Sequence, residues 1–354
     1  MSGPENNYLK SKDLIGYVPL EQAVPATYKK LGFKSGLEVH QQLKTEKKLF
    51  CNCPAGIYQH EEYDAELLRH MRPTLSELGE YDGTALMEFK TRKNIYYRIK
   101  KETACTYDFD DTPPFKINTN ALDIAIEIAM LAGTNIVGEL HVTRKQYLDG
   151  SIPTGFQRTA IVGIEGILKL PQKDIGVIQL SIEEDSCREV SDIGHERVYT
   201  TDRLGMPLIE VVTYPDMKTP QQVVDAGEYI RYLCRSTGKV NTGIGAARED
   251  VNVSISGGTR VEIKGVAHIK WFAELTHNEA FRQKALLEIA SVLKKRIPDP
   301  EAWSPKTVDL TESLSPPCCE TCSGKEMMVV GITLPDFDQI LSFFTQPGQA
   351  FIDE

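Results

Sequence analysis

No apolar run in this 354-residue sequence approaches the roughly 20 residues that a bilayer-spanning helix needs. The best, Leu122 to Gly133, is short and carries Asp123 and Glu127, which excludes a membrane span. Met1 to Leu14 mixes Glu5, Lys10, Lys12 and Asp13 without an apolar stretch, so no secretory leader is expected. Positive charge is also short: 40 Lys and Arg against 50 Asp and Glu leave a net charge of −10. That balance argues against sequence-blind coating of nucleic acid, which needs a broad excess of cations over phosphates. Fixed-period repeats are absent, which removes solenoids and propellers. No G-x-x-x-x-G-K-[ST] occurs, because Lys239 is followed by Val240 and Lys325 by Glu326. Gly243 and Gly245 begin a G-x-G, but Arg248 stands where a dinucleotide fingerprint needs its third glycine. H-E-x-x-H and G-x-S-x-G are missing, and Cys187 has no nucleophile signature, so protease and lipase readings lack support.

What is present is ordinary globular composition, 41% hydrophobic and 25% charged, at a length that favours more than one domain. Eight cysteines in a large chain without a leader read as thiols or metal ligands, and a cytoplasmic location is expected. Two basic clusters, Arg92, Lys93, Arg98, Lys100 and Lys101, and Lys294 to Arg296, read as solvated faces. Helices are expected at Asn118 to Leu131, capped by Asn118 or Asn120 and closed by Gly133, from Thr219 with Pro220 in its first turn to Gly238, and from about Trp271 to Lys295. Pro298, Pro300 and Pro305 mark a linker. Beyond it, Thr307 to Glu354 holds Cys318, Cys319 and Cys322 and one strand-like run, Met327 to Leu334, and is too short for a comfortable core. The chain is expected to stop inside a domain.

Strand patterns carry the chemistry. In a strand, alternate side chains share a face, and five segments set polar groups against apolar ones. Gly36 to Leu43 puts Glu38, His40 and Gln42 opposite Leu37 and Val39, and Val177 to Glu183 puts Gln179, Ser181 and Glu183 opposite Ile178, Leu180 and Ile182, running on into Glu184 and Asp185. Pro207 to Thr213 carries one carboxylate, Glu210, among Leu208, Ile209, Val211 and Val212. Asp250, Asn252 and Ser254 alternate with Val251, Val253 and Ile255, and Arg260, Glu262 and Lys264 with Val261 and Ile263. If these strands share a sheet, the polar faces converge into a surface suited to divalent metal and a polyanion: carboxylates hold the metal, which neutralises phosphate, and Lys264 adds a point charge. The competing reading is a sheet face turned to water, against which Glu210 stands out, because burying an unpaired carboxylate is costly.

Cys51-x-Cys53 looks like half a zinc site, to which Cys105 adds a third ligand; the position where a fourth cysteine would complete the pattern is Asp108. Zinc through Cys51, Cys53, Cys105 and an Asp or His stands beside the simpler reading of free thiols. Cys319-x-x-Cys322 with Cys318 reads as surface thiols.

Six segments in order carry a family likeness: Gly36-Leu-Glu-Val-His-Gln-Gln-Leu43, Lys48-Leu-Phe-Cys-Asn-Cys53, Gly155-Phe-Gln-Arg-Thr159, Ile182-Glu-Glu-Asp185, Asp202-Arg-Leu-Gly-Met-Pro-Leu-Ile-Glu210 and Arg248-Glu-Asp-Val-Asn-Val-Ser254. Together the sequence resembles the B/E family of tRNA-dependent amidotransferases from about Tyr28 to Ala273. Met71 to Gly79 and Asp110 to Pro114 look like the E form, which pairs with an asparaginase-like amidase of the D type.

The resemblance implies an α+β fold: a cradle-shaped catalytic domain on mostly antiparallel sheet over 1–297, a linker at 298–306, and at 307–354 the start of a smaller α+β insertion domain like that of aspartyl-tRNA synthetases. It implies ATP- and Mg²⁺-dependent phosphorylation of the γ-carboxylate of glutamate on Glu-tRNA(Gln), followed by displacement of phosphate by ammonia. Carried over by position, the metal cluster falls on Glu38, His40, Glu184 and Glu210, with a strand-end bulge able to exchange Glu183 for Glu184. Nucleotide and substrate contacts fall on Glu183, Asp185, Gln157, Arg158, Asp250, Asn252, Glu262 and Lys264, with Tyr147 bordering the cradle. His40 is unusual for Mg²⁺ and can instead orient a metal-bound water or the ammonia. The B forms pair C-x-C with a later C-x-x-C, of which only Cys105 remains here, so the resemblance leaves zinc open. A truncated polypeptide that scaffolds amidase and tRNA without chemistry is the alternative reading.

Overall fold

The computed structural model describes residues 3–73, 79–81, 83–109, 112–243, 245–310 and 329–354. Asp110, Asp111, most of Met71 to Gly79, and Cys318, Cys319 and Cys322 lie outside the described residues. By contacts the chain divides into two compact units. One comprises Lys34–Val253 and Val261–Ala273; the other comprises Met1–Phe33, Ser254–Arg260 and Glu274–Glu354. The sequence expectation had set its boundaries at 297 and 307, by composition.

Strands of the larger unit run in chain order as β1 (Lys34–Gln42), β2 (Ala65–Arg69), β3 (Asn94–Ile99), β4 (Asn135–Ile136), β5 (Val142–Gln146), β6 (Phe156–Lys169), β7 (Asp174–Glu184), β8 (Arg188–Ile193), β9 (Glu196–Thr200), β10 (Pro207–Thr213), β11 (Ala247–Ser254) and β12 (Val261–Val266). Eight of them form one sheet in the order β12-β11-β1-β10-β7-β6-β4, with β5 paired to β6. All five segments whose polar alternation was read from sequence belong to it. A four-stranded sheet, β2-β3-β9-β8, is antiparallel except for the parallel pair β3 and β9. The class is α+β with mostly antiparallel sheet, as expected.

Helices of the chain are α1 (Pro4–Leu14), α2 (Pro25–Leu31), α3 (Gly83–Lys90), α4 (Thr119–Leu131), α5 (Pro220–Ser236) and α6 (Phe272–Arg296). The last three match the sequence expectation within about two residues; the first three were not read. Asn118 caps α4, its side chain accepting from the Ala121 amide at 3.2 Å, and Thr219 caps α5 from the Gln222 amide at 3.3 Å. Ile124, Ala125 and Ile128 of α4 and Val223, Ile230 and Leu233 of α5 are buried, and α4 lies against β6 and β7 while α5 lies against β1. Each buried aliphatic side chain there contributes about 1.5–3 kcal/mol by leaving water. The helices thus cover the apolar face of the large sheet, where Leu37, Val39, Ile209, Val211, Leu180 and Ile182 are at most 3% exposed. The opposite face is left for the polar side chains.

In the smaller unit, Tyr17, Phe281, His277 and Phe344 form edge-on and tilted ring contacts with centroids 4.9 to 5.7 Å apart. The Tyr28 hydroxyl lies 2.9 Å from His277 Nδ1. Here too are β13 (Lys306–Asp309), β14 (Val330–Thr333), β15 (Phe344–Gln346) and β16 (Gln349–Ala350), in two antiparallel pairs. β14 lies inside the run expected as a strand.

Candidate active site and a thiol cluster

Antiparallel register decides which side chains meet. His40 of β1 is opposite Glu210 of β10, and Glu210 is opposite Ser181 of β7. Glu183, two residues on, therefore shares that face, as do Thr159 of β6, which is its partner, and Lys145 of β5, which is paired with Gln157. The result is one compact group: His40 Nε2 lies 3.6 Å from Glu183 Oε1 and 3.5 Å from Glu210 Oε1. Lys145 Nζ donates to Glu183 Oε2 at 3.1 Å and to Glu210 Oε2 at 3.3 Å.

Electrostatics follows from that packing. Burial, and then the charge of Glu210, push the Glu183 carboxyl above its usual range. Burial acts on Glu210 in the same direction, yet the His40 hydrogen bond and the Lys145 charge outweigh it and hold that carboxyl low. His40 is drawn up, because the two carboxylates overcome a burial that opposes its charge. Tyr147 is raised by burial and next by the charge of Glu183, which places its hydroxyl in the field of the same group.

A second group adjoins the first along β1. Oxygens of Glu38, Asp250 and Glu262 come within 4.8 Å of one another, as do the ligand atoms of His40, Glu183 and Glu210. Asn252, opposite Glu262, donates to Glu38 Oε1 at 3.2 Å. Lys264 reaches Glu262 at 3.2 Å and Asp250 at 3.4 Å from an exposed position. Both groups have the size of a single ion's ligand shell. The all-oxygen set of Glu38, Asp250 and Glu262 suits Mg²⁺, and the mixed set of two carboxylates and His40 accommodates Mn²⁺, a hard ion that tolerates one imidazole, as well. His40 Nδ1 and Asn252 Oδ1 are buried without a hydrogen-bond partner, which leaves both free to orient a bound group.

Glu184 is not in this cluster, contrary to expectation. Neighbouring residues of a strand alternate, so its carboxylate faces the other side of the sheet. There it accepts from the Tyr107 hydroxyl at 2.5 Å and from the Arg158 amide at 3.2 Å. Arg158 is likewise turned away, its Nη1 donating to the Tyr107 hydroxyl at 2.7 Å. Gln157 spends its Nε2 on the Glu184 carbonyl at 2.6 Å. Asp185 is fully buried, accepting from Gln42 Nε2 at 2.8 Å and Arg248 Nη2 at 3.1 Å, with Arg203 at 3.3 Å. These four residues tie strand ends together. Lys145 was not singled out from sequence; its only signal was its place two residues before Tyr147 and opposite the Gln157 segment.

Cys51, Cys53, Cys105 and Asp108 bring their ligand atoms within 4.8 Å of one another. The donor set fits zinc in count and in softness, with one carboxylate replacing a thiolate. Asp108 Oδ2 accepts from the Cys105 amide at 2.9 Å, and Oδ1 accepts from the fully buried Lys48 ammonium at 3.1 Å. Burial pushes the Cys53 thiol up to about 11 and moves Cys51 the same way. Gly205 allows this packing: its φ is +76°, and a Cβ there would meet the Lys48 side chain at 3.2 Å. Tyr107 and Asp108 belong to one helical turn, Thr106–Asp108, so the thiol cluster and the Glu184 network share a support.

The two basic clusters, read from sequence as solvated faces, are in part tied to neighbouring groups. Lys93 pairs with Asp192, Arg98 lies 3.8 Å from Glu66 and Lys100 lies 3.3 Å from Glu62, while Arg296 donates to the carbonyls of Asp336 and Asp338. Among the described residues no helix is long and apolar enough to cross a membrane.

A sheet face bearing two adjacent acidic groups, with a thiol cluster elsewhere in the same unit, defines an α+β domain with candidate ion-binding sites. The GatB/GatE catalytic domain family matches residues 33–327, and the chain belongs to that family. It is 46% identical over 269 residues to the E-type component of glutamyl-tRNA(Gln) amidotransferase from Saccharolobus solfataricus, covering 76% of this chain and 42% of that protein. The same component from Methanocaldococcus jannaschii is 42% identical over the same length. That from Sulfurisphaera tokodaii is 40% identical over 329 residues, 92% of this chain and 52% of that protein. The chain spans about half the length of these relatives.

Proposed function

We propose that this chain carries the carboxylate-activating and amidating site of a glutamyl-tRNA(Gln) amidotransferase. The observation that carries the proposal is the pair of adjacent ion-sized groups, His40/Glu183/Glu210 and Glu38/Asp250/Glu262, on one face of one sheet. In this reading the γ-carboxylate of glutamate on tRNA(Gln) attacks the γ-phosphorus of ATP, ADP leaves, and the acyl phosphate then loses phosphate to ammonia, with one proton released. Glu38, Asp250 and Glu262 would hold Mg²⁺ and His40, Glu183 and Glu210 a second divalent ion, which would supply charge neutralisation for phosphoryl transfer.

The chain's own residues would do the rest. Asn252 fixes Glu38, and Lys264 offers a mobile positive charge at the rim. With Nε2 toward the two carboxylates, His40 keeps its unpartnered Nδ1 to orient a bound group. No covalent nucleophile is required, which agrees with the missing motifs. Names of the relatives support a tRNA(Gln)-linked substrate and a multi-component enzyme, for which an asparaginase-like amidase of the D type is the partner proposed. Zinc at Cys51, Cys53, Cys105 and Asp108 is proposed as a structural ion.

The test is to incubate the protein with glutamyl-tRNA(Gln), Mg-ATP and hydroxylamine and to measure γ-hydroxamate on the tRNA. Hydroxylamine intercepts the activated carboxyl without the amidase. Product from the wild type but not from Glu210→Gln is expected. Absence of ATP binding by the wild type removes the activating role and leaves a scaffold.

A further inference from the structure

Lys145 presents a cation where the reading above places a divalent ion. It comes from β5, a strand joined to the sheet through β6, and its side chain is 39% exposed along its length. Its ammonium nevertheless sits on three carboxylate oxygens: Glu183 Oε2 at 3.1 Å, Glu210 Oε2 at 3.3 Å and Glu210 Oε1 at 3.5 Å. The two carboxylates are 2% and 8% exposed. Two buried carboxylates this close repel each other and require a counter-charge, which His40 alone covers only through Oε1 of each.

A divalent ion seated on His40, Glu183 and Glu210 would add two positive charges beside the ammonium, on the same two carboxylates whose Oε2 atoms the ammonium contacts at 3.1 and 3.3 Å. The two cations would compete for that one pair of carboxylates. A lysine can resolve the conflict as a fixed group could not, because its ammonium is a compact point charge on a flexible four-carbon stem, here reaching in from the solvent side. Ordinary structural ion pairs hold side chains that no other cation seeks; this one lies inside a donor set the size of one ion's shell.

We propose that Lys145 is a tethered stand-in cation: it holds Glu183 and Glu210 together in the metal-free protein and gives way to a divalent ion, so that it sets the metal concentration at which the site loads. The inference rests on the metal reading of the His40 cluster and specifies how that cluster behaves without its ion.

The experiment is a Mn²⁺ titration, read by electron paramagnetic resonance of free Mn²⁺, on the full chain as wild type, Lys145→Met, Lys145→Arg and Glu183→Gln. Lys145→Met is expected to bind about tenfold tighter at this site and to melt lower without metal, with the difference in melting closing at saturating Mn²⁺. Lys145→Arg keeps the charge and is expected to load near the wild-type concentration. A second measurement needs no variant: a short acetic anhydride pulse followed by peptide mass spectrometry, in which acylation of Lys145 in the wild type is expected to rise several-fold on adding Mn²⁺. Equal or weaker binding by Lys145→Met while Glu183→Gln abolishes binding, or unchanged labelling of Lys145 in that case, overturns this inference and leaves the metal reading standing. Wild-type binding that Glu183→Gln does not reduce overturns the metal reading and the inference with it.

Discussion

Glu183 and Glu184 are adjacent in sequence and stand on opposite faces of β7, one 3.6 Å from His40 and the other 2.5 Å from the Tyr107 hydroxyl. Two carboxylates that the sequence offers as interchangeable therefore have separate tasks. The first belongs to the ion-sized group, and the second braces a strand end against the turn that carries Asp108.

This separation predicts different outcomes for isosteric substitutions. Glu183→Gln is expected to abolish metal-dependent hydroxamate formation with a melting temperature within a few degrees of the wild type. Glu184→Gln is expected to retain metal binding but to lose about 1–3 kcal/mol of stability, the range for breaking a buried charge-assisted hydrogen bond. Urea unfolding together with Mn²⁺ titration reads both, and full metal affinity in Glu183→Gln would refute the assignment.

The Lys48 and Asp108 pair is fully buried on both sides, at 1% exposure each. Removing one partner leaves a buried charge alone, so Lys48→Met is expected to cost about 3–5 kcal/mol. Adding Asp108→Asn is expected to recover part of that loss, because the stranded carboxylate is gone. Chemical denaturation of the two single variants and the double variant measures the coupling; additive losses would mean the pair is not coupled.

Metal content tests the thiol cluster independently of any activity. One zinc per chain is expected after purification without chelator, with loss in Cys53→Ser and a lower melting temperature after chelation. Elemental analysis that finds no zinc in the wild type would leave three buried or half-buried thiols as the reading.

Glu249 provides a pH test. Burial raises its carboxyl from 4.5 to about 7, and its Oε2 has no hydrogen-bond partner. A raised carboxyl means that the folded state keeps a proton which the unfolded state has released. Its contribution to stability is present in full below 4.5 and is lost as pH rises through about 7. Glu249→Gln should therefore melt about 2–4 °C higher than the wild type at pH 8, and the gain should vanish near pH 4.5. A gain of equal size at both pH values would argue against a titrating Glu249.

Much of this protein was legible in its sequence. Alternation in five segments fixed which residues point to one side of each strand, because side chains in a strand alternate whatever their surroundings. Capping residues and flanking glycine or proline placed α4 and α5, because these signals act on the backbone locally. The family was legible too, since its motifs are contiguous. Tertiary structure alone decided the rest. Which of Glu183 and Glu184 meets His40 depends on the register of β7 against β10, and a slip of one residue exchanges the faces. Lys145 joins the cluster only because β5 pairs with β6, β6 with β7 and β7 with β10, a series of pairings that carries it to Glu183 and Glu210 and that no local pattern announces. Asp108 meets Cys51 and Cys53 from more than fifty residues away in the chain, which is a matter of packing and not of spacing. A sequence determines the local geometry of its backbone and the chemistry of each side chain; long-range pairing, whose energy is shared among many contacts, determines which of those side chains meet.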